Sequence, residues 1–202
     1  MDSAFQLIVL LFSVIVHEVS HGVVALAYGD PTAKAQGRLT LNPVPHIDLF
    51  GTIILPLLLF VSNAGFIVGW AKPVPYNPYN LRNRKVAELM VALAGPGSNI
   101  ILALVFVLLM KLGLAMGVGV MTIQLMSVVV AINLLLALFN LVPIPPLDGS
   151  KILGSLLPYN IIRFFEPYAG QGFLLLIIFI LFFMDPFYWL YSKCLVFLLG
   201  LV

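Results

Sequence analysis

The run from Ala4 to Tyr28 is apolar almost throughout, yet it carries His17-Glu18-Val19-Ser20-His21 in its second half. A stretch of that length reads as a membrane-spanning helix. Ionisable side chains at that depth are costly enough to be read first as functional. On a helix, positions i and i+4 lie one turn apart on one face, so His17 and His21 can present imidazole nitrogens to a single ion. In H-E-x-x-H zinc sites, a carboxylate placed as Glu18 is acts as a general base. The plainer alternative has these groups satisfying one another inside a helix bundle. Three ionisable groups within five residues, in lipid, favour an intramembrane metal site.

Composition agrees with a membrane protein. Hydrophobic residues make up 62% of the 202 and charged residues 9%, and mean hydropathy is +1.13; soluble domains carry about 25% charge. A net charge of +2 gives no footprint for nucleic acid. The single Cys194 excludes an internal disulfide and a cysteine-based zinc cluster, and reads as a small buried hydrophobe. The N-terminus lacks a basic leader region, and cleaving the first apolar run would discard the histidines, so the run is read as a retained helix.

The whole chain, 1–202, reads as one integral-membrane domain. Its expected fold is an all-α polytopic bundle of about four to five transmembrane segments, with a re-entrant hairpin and a short β-strand or hairpin near the active site. The H-E-x-x-H helix occupies 4–28 and ends at Gly29 and Pro31. A β or re-entrant region follows at 33–75. Within it, residues 35–41 alternate small or apolar with polar side chains, a strand-like period of two. Asn42-Pro-Val-Pro-His46-Ile-Asp48 is a rigid turn with the third histidine, read as a ligand, a substrate-contacting group or an interfacial polar residue. Residues 49–69 are apolar but broken by Pro56 and Asn63-Ala64-Gly65. Core helices are expected at 86–111, kinked and closely packed at Gly95-Pro96-Gly97, and at 118–141. A loop at 142–150 contains Leu147-Asp148-Gly149, an interfacial stretch covers 151–169, and 172–202 is one kinked span or two half-spans.

HEVSHG, NPVPHID with Gly51-Thr52, GWAKPVP, AGPGSN and NLVPIPPLDG occur in that order. From Phe12 to Ser155 the chain resembles the site-2 protease family of intramembrane zinc metalloproteases, in its small prokaryotic form without PDZ or CBS domains. The resemblance implies one zinc ion per chain, held by His17, His21 and Asp148, with Glu18 as the catalytic carboxylate and Asn140 near the active site. It also implies regulated intramembrane proteolysis of a transmembrane protein substrate within the lipid bilayer. The residues themselves are compatible with this. Two histidines leave a tetrahedral zinc one protein ligand short of a catalytic set, and a carboxylate completes it with one position open. Asp148 is the best carboxylate; Asp48, near His46, is the runner-up, and Asp148 also reads as the N-cap of a short helix. Glu88 and Glu166 read as interfacial charges.

If Asp148 meets the histidines, loops 28–47 and 142–150 open on one membrane face, and the chain between them crosses an even number of times. Runs 86–111 and 118–141 supply two crossings, which leaves 49–69 as the re-entrant hairpin. Lys34, Arg38, Lys72, Arg82, Arg84, Lys85, Lys151 and Arg163 then share one side, opposite Lys111. The positive-inside rule makes that side cytoplasmic, with the N-terminus outside and the active site toward the cytoplasm. Two other readings use the same residues: a metal-ion or proton transporter, and an inactive protein that binds membrane segments.

Overall fold

The first helix ends where it does because Gly29 adopts φ +103°, a left-handed conformation that suits glycine. Asp30 N–H then reaches Ala25 O at 2.9 Å and Gly29 N–H reaches Leu26 O at 3.0 Å, the paired bonds of a Schellman stop. The computed structural model describes residues 3–54, 57–58, 61–62, 70–158 and 170–202. In chain order its α-helices are α1 Ser3–Ala27, α2 Thr32–Ala35, α3 Arg84–Ala115, α4 Val120–Asn140, α5 Asp148–Leu156 and α6 Gly172–Leu199. Short 3₁₀ turns at Val44–His46 and Pro78–Asn80 and a π-helical turn at Leu49–Ile54 join them.

Among the described residues, four helices are long and apolar enough to cross a membrane: α1, α3, α4 and α6. Helix α3 is central, packed against α1, α4, α5 and α6. Small residues let it do so, with Ala87, Val91, Ala92, Gly95 and Ala103 all buried along it. Pro96 lies inside α3 without ending it. At the far end of the bundle Ala103, Val107, Met110 and Val130 form a core closed by Leu195, Leu198, Leu199 and Val202 of the C-terminal segment. Helix α6 therefore runs from the turn at Pro145, where Gly172 sits against the proline, to the C-terminal end of α3. It is one continuous helix through Pro186, which decides between the single span and the two half-spans.

The strand expected at 35–41 is not formed. Thr32–Ala35 is helical and stops as α1 does, with Gly37 at φ +64°, Arg38 N–H on Ala33 O and Gly37 N–H on Lys34 O. The period of two was misleading because its polar member Arg38 is the buried one, while Gly37 and Leu41 are exposed. Asn63-Ala64-Gly65, the expected tip of the re-entrant hairpin, lies outside the described residues, as does 159–169. Described residues on either side of that stretch meet: Trp70 N–H donates to Gly51 O at 3.1 Å, and Thr52 Oγ1 donates to Trp70 O at 2.8 Å. The indole covers Gly51 so closely that a Cβ there would lie 2.3 Å from it.

Candidate metal centre

His17 and His21 project from one face of α1 toward α3, their rings at 83° to one another and 4.8 Å apart. The third group comes from far along the chain. Leu147 precedes α5 with extended backbone, and Asp148 opens the helix without capping it. Its Oδ2 lies 3.1 Å from His17 Nε2 and 3.2 Å from His21 Nε2. Its Oδ1 accepts from Lys151 Nζ at 3.3 Å. Asp148 is thus a buried carboxylate whose Oδ2 faces both imidazoles while Oδ1 faces the half-exposed Lys151.

Two glycines make this meeting possible. A Cβ on Gly95 would stand 2.5 Å from Nε2 of both histidines, so α3 presents bare backbone to the pair. A Cβ on Gly149 would stand 2.2 Å from Leu141 O, so the turn that delivers Asp148 closes only with glycine after it.

The remaining ring nitrogens fix the tautomers. His21 Nδ1 lies 2.7 Å from Val91 O, a carbonyl that can only accept, so Nδ1 carries the hydrogen. His17 Nδ1 lies 2.7 Å from Asn99 Oδ1. The orientation of that amide is set by its nitrogen, which donates to Ser13 O at 3.2 Å and to Asn133 Oδ1 at 2.9 Å. Asn133 in turn donates to Ser13 Oγ and Val129 O, each at 2.9 Å. With both Nδ1 atoms protonated, two neutral rings aim Nε2 lone pairs at a carboxylate oxygen. Three such groups so close need a positive charge among them, a shared proton or a metal ion. The fit to zinc is direct, since tetrahedral bonds of about 2.0–2.1 Å separate ligand atoms by about 3.3 Å. Among the described residues, these three have ligand atoms within 4.8 Å of one another, and all are buried.

Glu18, half-buried, does not join the three; its Oε2 accepts the Val74 N–H at 2.9 Å. Asp48 instead ties its own turn, accepting Gly51 N–H at 2.6 Å, and His46 Nε2 donates to Thr40 O at 2.8 Å. Neither is part of the cluster. Asn140 donates to Leu136 O of its own helix at 3.0 Å and makes no hydrogen bond to Glu18, Asp148 or the histidines. Glu88 pairs with Arg84 at the surface, at 2.7 Å.

The model of peptidase family M50 matches residues 5–121 and 114–184. The chain belongs to this family, the site-2 proteases. Three relatives share the name "Putative zinc metalloprotease". YwhC of Bacillus subtilis is 39% identical over 188 residues, covering 90% of this chain and 81% of its own. Rip2 of Mycolicibacterium smegmatis is 27% identical over 190 residues, 90% of this chain and 71% of its own. MJ0611 of Methanocaldococcus jannaschii is 34% identical over 158 residues, 74% and 72%. No solved structure matches. The M50 chain is thus a multi-pass zinc metallopeptidase.

The sequence singled out His17, His21, Asp148 and Glu18. It did not single out Asn99 or Asn133, which together orient the His17 ring. The signal that could have found them is their place in apolar helices, since Asn99 and Asn133 are fully buried there.

Proposed function

We propose that this M50 protein is an intramembrane endopeptidase that cuts a transmembrane or juxtamembrane segment of another protein, with zinc held by His17, His21 and Asp148. The observation that carries this is the convergence of two tautomer-fixed Nε2 atoms and a carboxylate oxygen, 131 residues from the first histidine, inside the spanning bundle. Held by His17, His21 and Asp148, zinc would supply Lewis-acid polarisation of the scissile carbonyl and make water more acidic. Glu18 takes the proton of the attacking water on its Oε1, because Oε2 is occupied by Val74 N–H. It then returns that proton to the leaving amine. A peptide bond inside a helix is shielded by its own turn, so the substrate must unwind locally before Glu18 can act on it.

Glu18 and Lys151 are the other ionisable groups near the ligands, and Glu18, next to His17 in the chain, is the carboxylate that hydrolysis requires. A relay for ions or protons would need further ionisable groups along the bundle. Apart from the two histidines, the buried polar side chains described in α1, α3 and α4 are Ser13, Asn99 and Asn133, which do not titrate. The meeting of Gly51 with Trp70 supports reading 49–69 as a segment that returns to the face it left. With α3 and α4 antiparallel, the metal centre then opens on the side of the basic loops, the cytoplasm by the positive-inside rule.

The test separates ligand from base. Purified Glu18→Gln is expected to keep about one zinc per chain and lose proteolysis, while His17→Ala and Asp148→Ala lose the metal. Zinc loss in Glu18→Gln equal to that in His17→Ala would remove Glu18 from the base role. Undiminished zinc in Asp148→Ala would remove Asp148 from the ligand set.

A further inference from the structure

Residues 70–77 form no regular element, yet they are pinned along their length. Lys72 N–H donates to His46 O at 2.9 Å. One nitrogen of Arg38, Nη2, donates to Lys72 O at 2.8 Å and Pro73 O at 3.3 Å, from a side chain that is buried. Asn77 N–H donates to Asp30 Oδ2 at 2.6 Å. His46, itself fully buried, holds its own loop through Thr40 O.

The segment lies on α1 one turn beyond Glu18. Gly22 makes the room, since a Cβ there would come within 2.8 Å of Val74 Cγ1. Glu18 and Gly22 are i and i+4, so they share a face of α1. Between Pro73 and Pro75, which have no N–H, Val74 provides the one main-chain donor, and it points at Glu18 Oε2 at 2.9 Å. A residue that precedes a proline is also biased toward extended backbone, which suits a segment laid flat on a helix.

We propose that residues 70–77 are a strap that aims the general base: Val74 N–H fixes Glu18 Oε2 and leaves Oε1 for water, and Arg38 and His46 are positioning residues that hold the strap. This rests on Glu18 being the base. It gives the buried Arg38 and His46 a task in turnover without contact to metal or substrate. The guanidinium grips two successive carbonyls, which fixes the peptide that carries the Val74 nitrogen. Both bonds come from Nη2 alone, and the shorter stem of lysine brings its ammonium less far toward the two carbonyls, so it should hold the strap only in part.

Replacing Val74 with proline deletes the donor in an already proline-rich extended segment, while Val74→Ala deletes side-chain packing and keeps the donor. Zinc content, the affinity of a peptide hydroxamate, and kcat and KM on a fluorogenic single-span peptide in detergent are measured for each. Val74→Pro is expected to keep its zinc, lose about 100-fold in kcat with KM changed little, and bind the hydroxamate more weakly. Val74→Ala should turn over at least about tenfold faster than Val74→Pro. Arg38→Met should reproduce the kcat loss with zinc retained, and Arg38→Lys should recover part of it. Equal turnover in Val74→Pro and Val74→Ala overturns the strap. If Val74→Pro fails to fold, the Arg38 pair decides, and wild-type kcat in Arg38→Met overturns it. Full turnover in Glu18→Gln would instead sink the underlying base assignment, a separate outcome.

Discussion

At the scale of single residues, the centre depends on hydrogens that point away from it. His17 can offer Nε2 only while Nδ1–H is held by Asn99, and Asn99 can accept only while its amide nitrogen is committed to Ser13 and Asn133. Asn99→Ala removes the acceptor without touching a ligand. Loss of an outer partner of this kind costs about 10–100-fold in metal affinity. Zinc affinity measured by chelator competition is therefore expected to fall by that factor, with Asn133→Ala weaker in the same direction. An unchanged affinity in Asn99→Ala would mean that packing alone orients the ring. The histidines and Glu18 were legible because a motif puts them within one turn. Asp148 needed the second motif. The partners of Glu18 and His17 were not legible, because Val74 is 56 residues and Asn99 82 residues away, and nothing in spacing encodes such contacts.

At the scale of elements, glycine decides how closely helices approach the proposed metal ligands. Gly95 faces both imidazoles, and a methyl group there would overlap Nε2 of each, so a ring or the helix must move. Gly95→Ala is expected to lower zinc occupancy in a protein that still inserts and folds, measured as metal per chain after purification. Full occupancy would show that the rings can tilt away at no cost. The spanning helices were legible from length and hydropathy, since α1, α3, α4 and α6 each exceed what a bilayer requires. The strand was not, because two glycine-terminated helices in succession imitate alternation. Asp30, which follows the first of these stops, is fully buried and binds Thr32, Asn77 and Asn80. Burial pushes its carboxyl up, but hydrogen bonds from Thr32, Asn80 and Asn77 outweigh it and hold the group below its ordinary value. A lowered folded value means that the contribution to stability is present above the unfolded value, about 4, and is lost as pH falls from there through the folded one. The Tm of wild type should therefore exceed that of Asp30→Asn at pH 7, and the gap should narrow below about pH 4. A gap independent of pH would make the role of Asp30 purely geometric.

At the scale of the whole molecule, the directions of the four described candidate spans relate the loops that join them. Helix α6 starts at the Pro145 turn and ends beside Lys111, whose Nζ donates to Leu201 O at 3.4 Å. It therefore runs parallel to α3, and the C-terminus shares a membrane face with the α3–α4 turn. In the proposed orientation, with the basic loops inside, both chain ends would lie outside. Single cysteines in a Cys194→Ala background test this without any substrate. Gln36→Cys, Tyr79→Cys and Ser155→Cys sit at described positions on the basic side; Met116→Cys and Leu201→Cys sit on the other. In intact cells a membrane-impermeant thiol reagent should label 116 and 201 and leave 36, 79 and 155 until the inner face is exposed. Labelling of 79 from outside, with 36 and 155 protected, would make 49–69 a crossing segment. That result is hard to reconcile with Trp70 bonded to Gly51, because the ends of a crossing segment stand about 30 Å apart. The opposite pattern at all five positions would keep the fold and invert it, turning the metal centre toward the outer face.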